Sequence, residues 1–253
     1  MTVTLAEPLA GLRELLERYA AERGGLPGLL PGLTADPGEG GWIPVAELAR
    51  PPYDLLAGLI DHISVVRDAP RHVRAALMWK TYAYWHTMPM ALGWALNRRV
   101  PLMPFDETVY RASDTGITIA ATSIRTAVLP GDPLAGAPGT VVVDDLGTAV
   151  REALLTAQLP LIRAISRLTK VGERNLWGST AESLVHPVRA FADTLPPGAH
   201  PADLLAAVGD PVGGLIDFTA DGYRRRTCCL WVTLPDTEPC ATCCVSASSA
   251  KNT

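Results

Sequence analysis

Apolar residues recur at helical spacing through most of this chain. Leu5, Leu9, Leu12, Leu15, Leu16 and Tyr19 share one side of residues 5–22, with Arg and Glu between them. This predicts an amphipathic helix closed by Gly24, Gly25 and Pro27. The stretch from there to Gly41 is rich in Gly and Pro and reads as loop. Pro44 suits the first turn of a short helix that Pro51-Pro52 ends. Leu55, Leu56, Leu59, Ile60, Ile63 and Val66 predict a helix over 53–67. The strongest pattern covers 72–97, with Val73, Leu77, Tyr84, Met88 and Leu92 on its buried side and Pro89 as a kink or break. The period then changes to alternation. Thr108–Arg111 and Ile117–Ile119 flank Asp114-Thr115-Gly116 and predict a β-hairpin, and Thr140–Val143 predicts a third strand. Helical spacing returns over 145–170 and 173–194, disrupted at Pro160 and Pro187, and in a short helix at 202–208.

This order predicts an α+β protein, predominantly α-helical, with a small antiparallel sheet and an irregular C-terminal segment. A mainly helical core is expected over 1–210, a cysteine-bearing segment over 211–244 and a disordered polar tail over 245–253. Within the segment, Leu230-Trp231-Val232 reads as a short strand.

With 253 residues, 48% of them hydrophobic and 19% charged, the chain can bury a sizeable core. Its net charge is −4, from 22 basic and 26 acidic residues, so no basic surplus offsets a nucleic-acid backbone and no nucleic-acid partner is expected. The opening Met1-Thr2-Val3-Thr4 lacks the basic patch and apolar run of a secretory signal, and no stretch of about 18 apolar residues occurs. The expectation is a cytoplasmic protein without a membrane span.

The chemistry concentrates near the C-terminus. Cys228, Cys229, Cys240, Cys243 and Cys244 are all the cysteines there are. Thiolate selects zinc, copper(I) or iron–sulfur clusters, and clustered thiols in a reducing compartment more often hold metal than pair as disulfides. Cys240-Ala241-Thr242-Cys243 is a turn that lets two thiolates converge. Adjacent side chains diverge in regular structure, so Cys228 and Cys229 need an irregular backbone to share a centre. An ordinary zinc ribbon supplies two Cys-x-x-Cys turns, and the adjacent pair argues against one here. Zinc, a cluster and metal-free thiols all stay open on the residues alone.

The run Tyr223-Arg224-Arg225-Arg226-Thr227-Cys228-Cys229-Leu230-Trp231, followed by Cys240-Ala241-Thr242-Cys243, resembles the C-terminal signature of FhuF-like ferric-siderophore reductases. Looser similarity covers Ala75–Val100 and Arg174-Asn175-Leu176-Trp177-Gly178 with the Ala181-Glu182-Ser183-Leu184 stretch after it. The resemblance implies a 2Fe–2S cluster on Cys228, Cys229, Cys240 and Cys243, with Cys244 an alternative to Cys243. It implies a cytoplasmic oxidoreductase that reduces a ferric siderophore by one electron. Iron(II) binds oxygen donors far more weakly than iron(III), so reduction would release the metal. No Gly-x-Gly-x-x-Gly follows a strand, so electrons are expected from a ferredoxin or a flavoprotein reductase. Arg224, Arg225, Arg226 and Trp231 flank the ligands and are candidates for docking substrate or donor, or for tuning the cluster. The alternative function is a siderophore-binding or siderophore-biosynthesis accessory protein with a structural zinc or cluster site.

Other candidates read more simply. Trp79, Trp85, Trp94, Tyr82, Tyr84 and Trp177 lie at helical spacing and are expected in the core. His62, His72, His86, His186 and His200 show no metal-pair spacing. Asp144-Asp145 should cap the following helix. Ser123, Ser179 and Ser183 sit in no Gly-x-Ser-x-Gly elbow, which argues against an esterase.

Overall fold

A 27-residue helix, Arg71–Asn97, is the axis around which the chain packs. Every residue from His86 to Ala95 is buried, so this stretch is apolar all round rather than on one stripe. The computed structural model describes residues 7–36, 38–62, 68–113 and 116–245. Pro89 lies inside the helix without dividing it. A buried helix is held by neighbours on all sides, and that packing outweighs one missing backbone hydrogen bond.

In chain order the elements begin with α1 (Ala10–Arg23), ended by Gly24 in the left-handed conformation. Strand β1 (Leu29–Thr34), strand β2 (Ile43–Pro44) and helix α2 (Val45–Leu48) follow. Next come α3 (Asp54–His62) and the axial helix, α4. The rest of the expected 53–67 helix falls on residues outside those described. Strands β3 (Val100–Leu102), β4 (Thr108–Ser113), β5 (Gly116–Ala121), β6 (Arg125–Val128) and β7 (Thr140–Val142) form the middle of the chain. The second half is α5 (Leu146–Ala157), α6 (Leu159–Thr169), α7 (Glu173–Ala190) and α8 (Pro201–Val208).

The class is α+β as expected, but the strands form three small sheets rather than one antiparallel patch. They are β1-β5-β4-β2, β3-β6-β7 and a two-stranded ribbon near the C-terminus. The hairpin β4/β5 is antiparallel as its alternation predicts, while β1/β5 and β6/β7 run parallel. Strand β1 replaces part of the expected loop. It carries Pro31 and Gly32, lies at a sheet edge, shifts register between Leu29 and Thr34, and holds Leu33 at φ 62°. An edge tolerates proline and a bulge erases alternation, so no strand signal survives in the sequence.

The segment read as one helix over 145–170 is two, α5 and α6, parting at Gln158 just before Pro160. Asp145 caps α5, accepting a hydrogen bond from the Thr148 amide at 2.6 Å. The expected aromatic core is present in Trp79, Tyr82, Trp94 and Trp177, while Tyr84 and Trp85 are half-buried against it. Trp79 is fully buried and its indole donates to the Leu176 carbonyl at 2.9 Å, tying α4 to α7. Trp94 and Trp177 are buried too. Trp85 lies flush against Gly28, where a Cβ would fall 1.9 Å from its indole nitrogen. Val212, Leu215, Ile216 and Tyr223 join the same continuous core, so the chain leading into the cysteine segment is anchored in it. No helix among the described residues is long and apolar enough to cross a membrane.

One polar relay crosses this core. Gln158 accepts from the Thr180 hydroxyl at 2.8 Å, and its amide meets His86 Nδ1 at 3.1 Å. Burial lowers the His86 imidazole from its ordinary 6.5 to about 4. The unfolded chain therefore takes up this proton first as pH falls. The contribution is complete above pH 6.5 and is lost on the way down to about pH 4, on the order of 3 kcal/mol in all. Urea denaturation at pH 7 and pH 4.5 should show this loss in the wild type and a shallower one in His86→Asn. Equal losses in the two proteins would contradict the assignment.

Candidate metal centre

The ribbon of β8 (Ile216–Thr219) and β9 (Gly222–Arg225) delivers the chain to the cysteine segment. The far end of the segment returns beside β9, where the Arg225 amide donates to the Thr242 carbonyl at 3.0 Å. Between them the backbone is irregular, as two adjacent ligands require. Leu230 takes φ 67° and opens a 3-10 turn, Trp231–Thr233, in place of the expected strand. The left-handed residue turns the chain directly after Cys229, and Cys228 and Cys229 themselves fall in different groups. The Thr237 hydroxyl closes the excursion on the carbonyls of Trp231 and Leu234, at 3.0 and 2.9 Å. A Cys243 amide bond to the Cys240 carbonyl, 2.9 Å, forms the Cys-x-x-Cys turn.

All five cysteines are free thiols. Cys229 and Cys243 are buried, Cys228 and Cys240 half-buried, Cys244 exposed. They gather in two groups, each drawing on both sequence motifs. Cys229 and Cys240 lie within hydrogen-bonding range of each other, and Cys244 reaches Cys228 and Cys243. Backbone amides two residues downstream point at the sulfurs: Leu230 donates to Cys228 at 3.3 Å and Val245 to Cys243 at 3.4 Å. The Trp231 amide acts in the same way on Cys229. The hydrogen bond from Cys229, and a second from Thr242, lower the Cys240 thiol to about 5 against the opposing effect of burial. Cys229 is pushed up by the same shared hydrogen bond and by burial. Desolvation, then its Cys228 and Cys243 neighbours, raises the Cys244 thiol to about 11.

Among the described residues no three His, Cys, Asp or Glu side chains converge as ligands of one ion would. The donor set nevertheless fits a sulfur-ligated cluster. Four sulfurs come from two motifs in two groups, and amide donors wait where thiolate charge would develop.

A buried polar network fastens this segment to the helices. Glu182 of α7 accepts from Arg225 and from Lys80 of α4, each at 3.0 Å, and from the Thr242 hydroxyl at 2.6 Å. Arg225 also donates to Ser179 at 3.0 Å. Burial alone would raise the Glu182 carboxyl. Lys80 and Arg225, with the Thr242 hydrogen bond, outweigh it and hold the group below its ordinary value. Lys80 also lowers both Cys229 and Cys240, so its positive charge serves the carboxylate and the thiols together. The surfaces meet with no clearance at Gly178, where a Cβ would fall 1.7 Å from the Thr227 hydroxyl oxygen.

The three arginines before the ligands divide. Arg225 faces inward at 2% exposure. Arg226 is exposed and pairs with Asp217 at 2.5 Å, while Arg224 is exposed and free of an ion pair among the described residues. Trp231 is half-buried on the 3-10 turn. Sequence reasoning missed Lys80, Glu182 and Thr242. A signal existed for two of them. Lys80 is the sole Asp, Glu, Lys or Arg between Arg74 and Arg98, and Glu182 the sole one between Arg174 and Arg189. Lone charges inside long apolar helices need partners.

No protein-family model matches the chain. No curated protein matches it by sequence. In fold it is similar to the aerobactin synthetase IucA from a hypervirulent pathotype of Klebsiella pneumoniae, at 15% identity and a TM-score of 0.47, over 67% of this chain and 32% of that one. The ATP-bound form of that synthetase gives 14% identity and a TM-score of 0.45 over the same shares. This chain thus spans about a third of the length of the solved structures it matches. These findings do not show membership of the FhuF-like family.

Two substitutions probe the junction. Gly178→Ala should lower stability by about 2 kcal/mol through overpacking, and adding Thr227→Ala should restore part of that loss. Glu182→Gln strands the buried Arg225 charge and should cost on the order of 3 kcal/mol. Chemical denaturation measures both, and a Gly178→Ala midpoint equal to the wild type would refute the close approach.

Proposed function

We propose that this chain is an iron–sulfur oxidoreductase that reduces ferric siderophores, holding a 2Fe–2S cluster on Cys228, Cys229, Cys240 and Cys243. The observation that carries the reading is the gathering of these thiols from two motifs, with backbone amides directed at the sulfurs. Such a cluster supplies one-electron transfer. The chain's own residues supply the environment. Amides of Leu230, Trp231 and Val245 stabilise negative sulfur, and the Lys80 ammonium adds a positive charge beside Cys229 and Cys240. Trp231, half-buried after the cysteine pair, limits access of water. Burial of Cys243 and exposure of Cys244 favour Cys243 as the fourth ligand.

The substrate is a ferric siderophore, whose iron(III) accepts one electron and leaves as iron(II) with the siderophore intact. Oxygen donors hold the softer, less charged ion weakly. The electron comes from a ferredoxin or a flavoprotein reductase, and the setting is cytoplasmic.

A second reading is a siderophore-binding or siderophore-biosynthesis accessory protein in which the metal is structural. The network that locks Arg225 and Thr242 onto Glu182 favours it, because a structural centre needs the same rigid attachment.

Anaerobic purification should give a coloured protein with about two irons and two acid-labile sulfides per chain. A colourless protein with stoichiometric zinc would end the redox reading. Cys243→Ser should lose the cluster spectrum, whereas Cys244→Ser should keep it. Dithionite-reduced protein should be reoxidised by a ferric hydroxamate while a ferrous trap captures the iron. If it stays reduced across several siderophores, the accessory reading is correct.

A further inference from the structure

An open cleft of about 520 Å³ lies against the cysteine segment. Its walls include Arg189, Thr219, Asp221, Tyr223, Arg224 and Thr242. The volume suits a small molecule, and the charge is biased, with two guanidinium groups against one carboxylate. Arg189 and Arg224 come from different elements, α7 and β9, and both are exposed. Neither has an ion-pair partner among the described residues. Arg189 is not loose, for its guanidinium lies over the Tyr223 ring at 5.9 Å.

Tyr223 lines the cleft, but not through its hydroxyl, which is buried. The residue is only 7% exposed, yet its hydroxyl has no hydrogen-bond partner among the described residues. The cleft also touches the thiols through one residue. Thr242 walls it and stands 3.7 Å from the Cys240 sulfur. A molecule seated there is one side chain away from the candidate metal centre.

We infer that this cleft is the site for the ferric chelate, and that it selects chelates with net negative charge and free carboxylates. Arg189 and Arg224 take the carboxylates, for which the planar guanidinium fork is matched. The inference rests on the reductase reading for its substrate, but the cleft is tested without redox chemistry. A small ligand is favoured over a docked acidic protein because the concavity, about 520 Å³, is of the size that takes one.

The test is calorimetric titration of the protein as purified with two redox-inert gallium(III) complexes. One is the anionic citrate complex and the other the uncharged tris-acetohydroxamate. The citrate complex should bind about tenfold more tightly, and Arg189→Gln with Arg224→Gln should remove that preference. Both arginines are exposed, so the double variant should fold, which an unchanged thermal midpoint would verify. Equal binding of the two complexes, or unaltered binding by the double variant, overturns the inference. So does a double variant that binds the citrate complex normally but no longer accepts electrons from a ferredoxin, since the face would then dock protein. Gallium is not reduced, so a cluster-free chain that keeps the preference sinks the reductase reading alone. A redox-active chain without the preference sinks the cleft alone.

Discussion

The carboxylate of Glu182 is the point at which three distant stretches of this chain meet. Lys80 arrives from the axial helix, Arg225 from the C-terminal ribbon and Thr242 from the Cys-x-x-Cys turn, all onto one side chain of α7. A carboxylate this deep is tolerable only because it is met by two cations and a hydroxyl. Such an arrangement adds little net stability over an apolar replacement. It does decide which surfaces touch, because any other docking of the segment leaves charges buried and unpaired. The position of the thiols against the helices follows from it.

The sequence was most legible where one period ruled for several turns. The helices α1, α4, α7 and α8 and the β4/β5 hairpin lie close to where spacing and turn residues place them. Pro160 was visible as a disruption, but its strength was not, because whether a proline splits a helix depends on its neighbours. Pro89, packed on all sides, does not split α4, while Pro160 follows the boundary between α5 and α6. Strand β7 lies where alternation places it, but β1, β2, β3 and β6 escaped notice for a different reason. Strand β1 bulges, β2 is two residues long, and the register of β6 with β7 is set by distant pairing. Nothing local records such contacts.

For the site, spacing made the cysteine cluster and its irregular backbone legible, while the choice of four among the five came from the resemblance. What lay beneath the cluster was not legible. Lys80 and Glu182 are 102 positions apart, and Arg225 reads as the middle of a basic run although it turns inward. The run Arg224-Arg225-Arg226 therefore does three different things. On a strand, alternate side chains face opposite ways, so the buried arginine sits between two exposed ones. A basic run in sequence is not a basic patch in space. The cleft shows the converse, since Arg189 and Arg224 are remote in sequence and border one concavity.

The four candidate ligands fall within sixteen consecutive residues, and the ten between Cys229 and Cys240 close on themselves through Thr237. Shutting so small a ring costs little chain entropy. Free energy from any metal held at these thiols would thus go to ordering the last few turns of backbone, not to holding the helices together. Loss of such a metal would fray that end first, up to the point where Tyr223 enters the core.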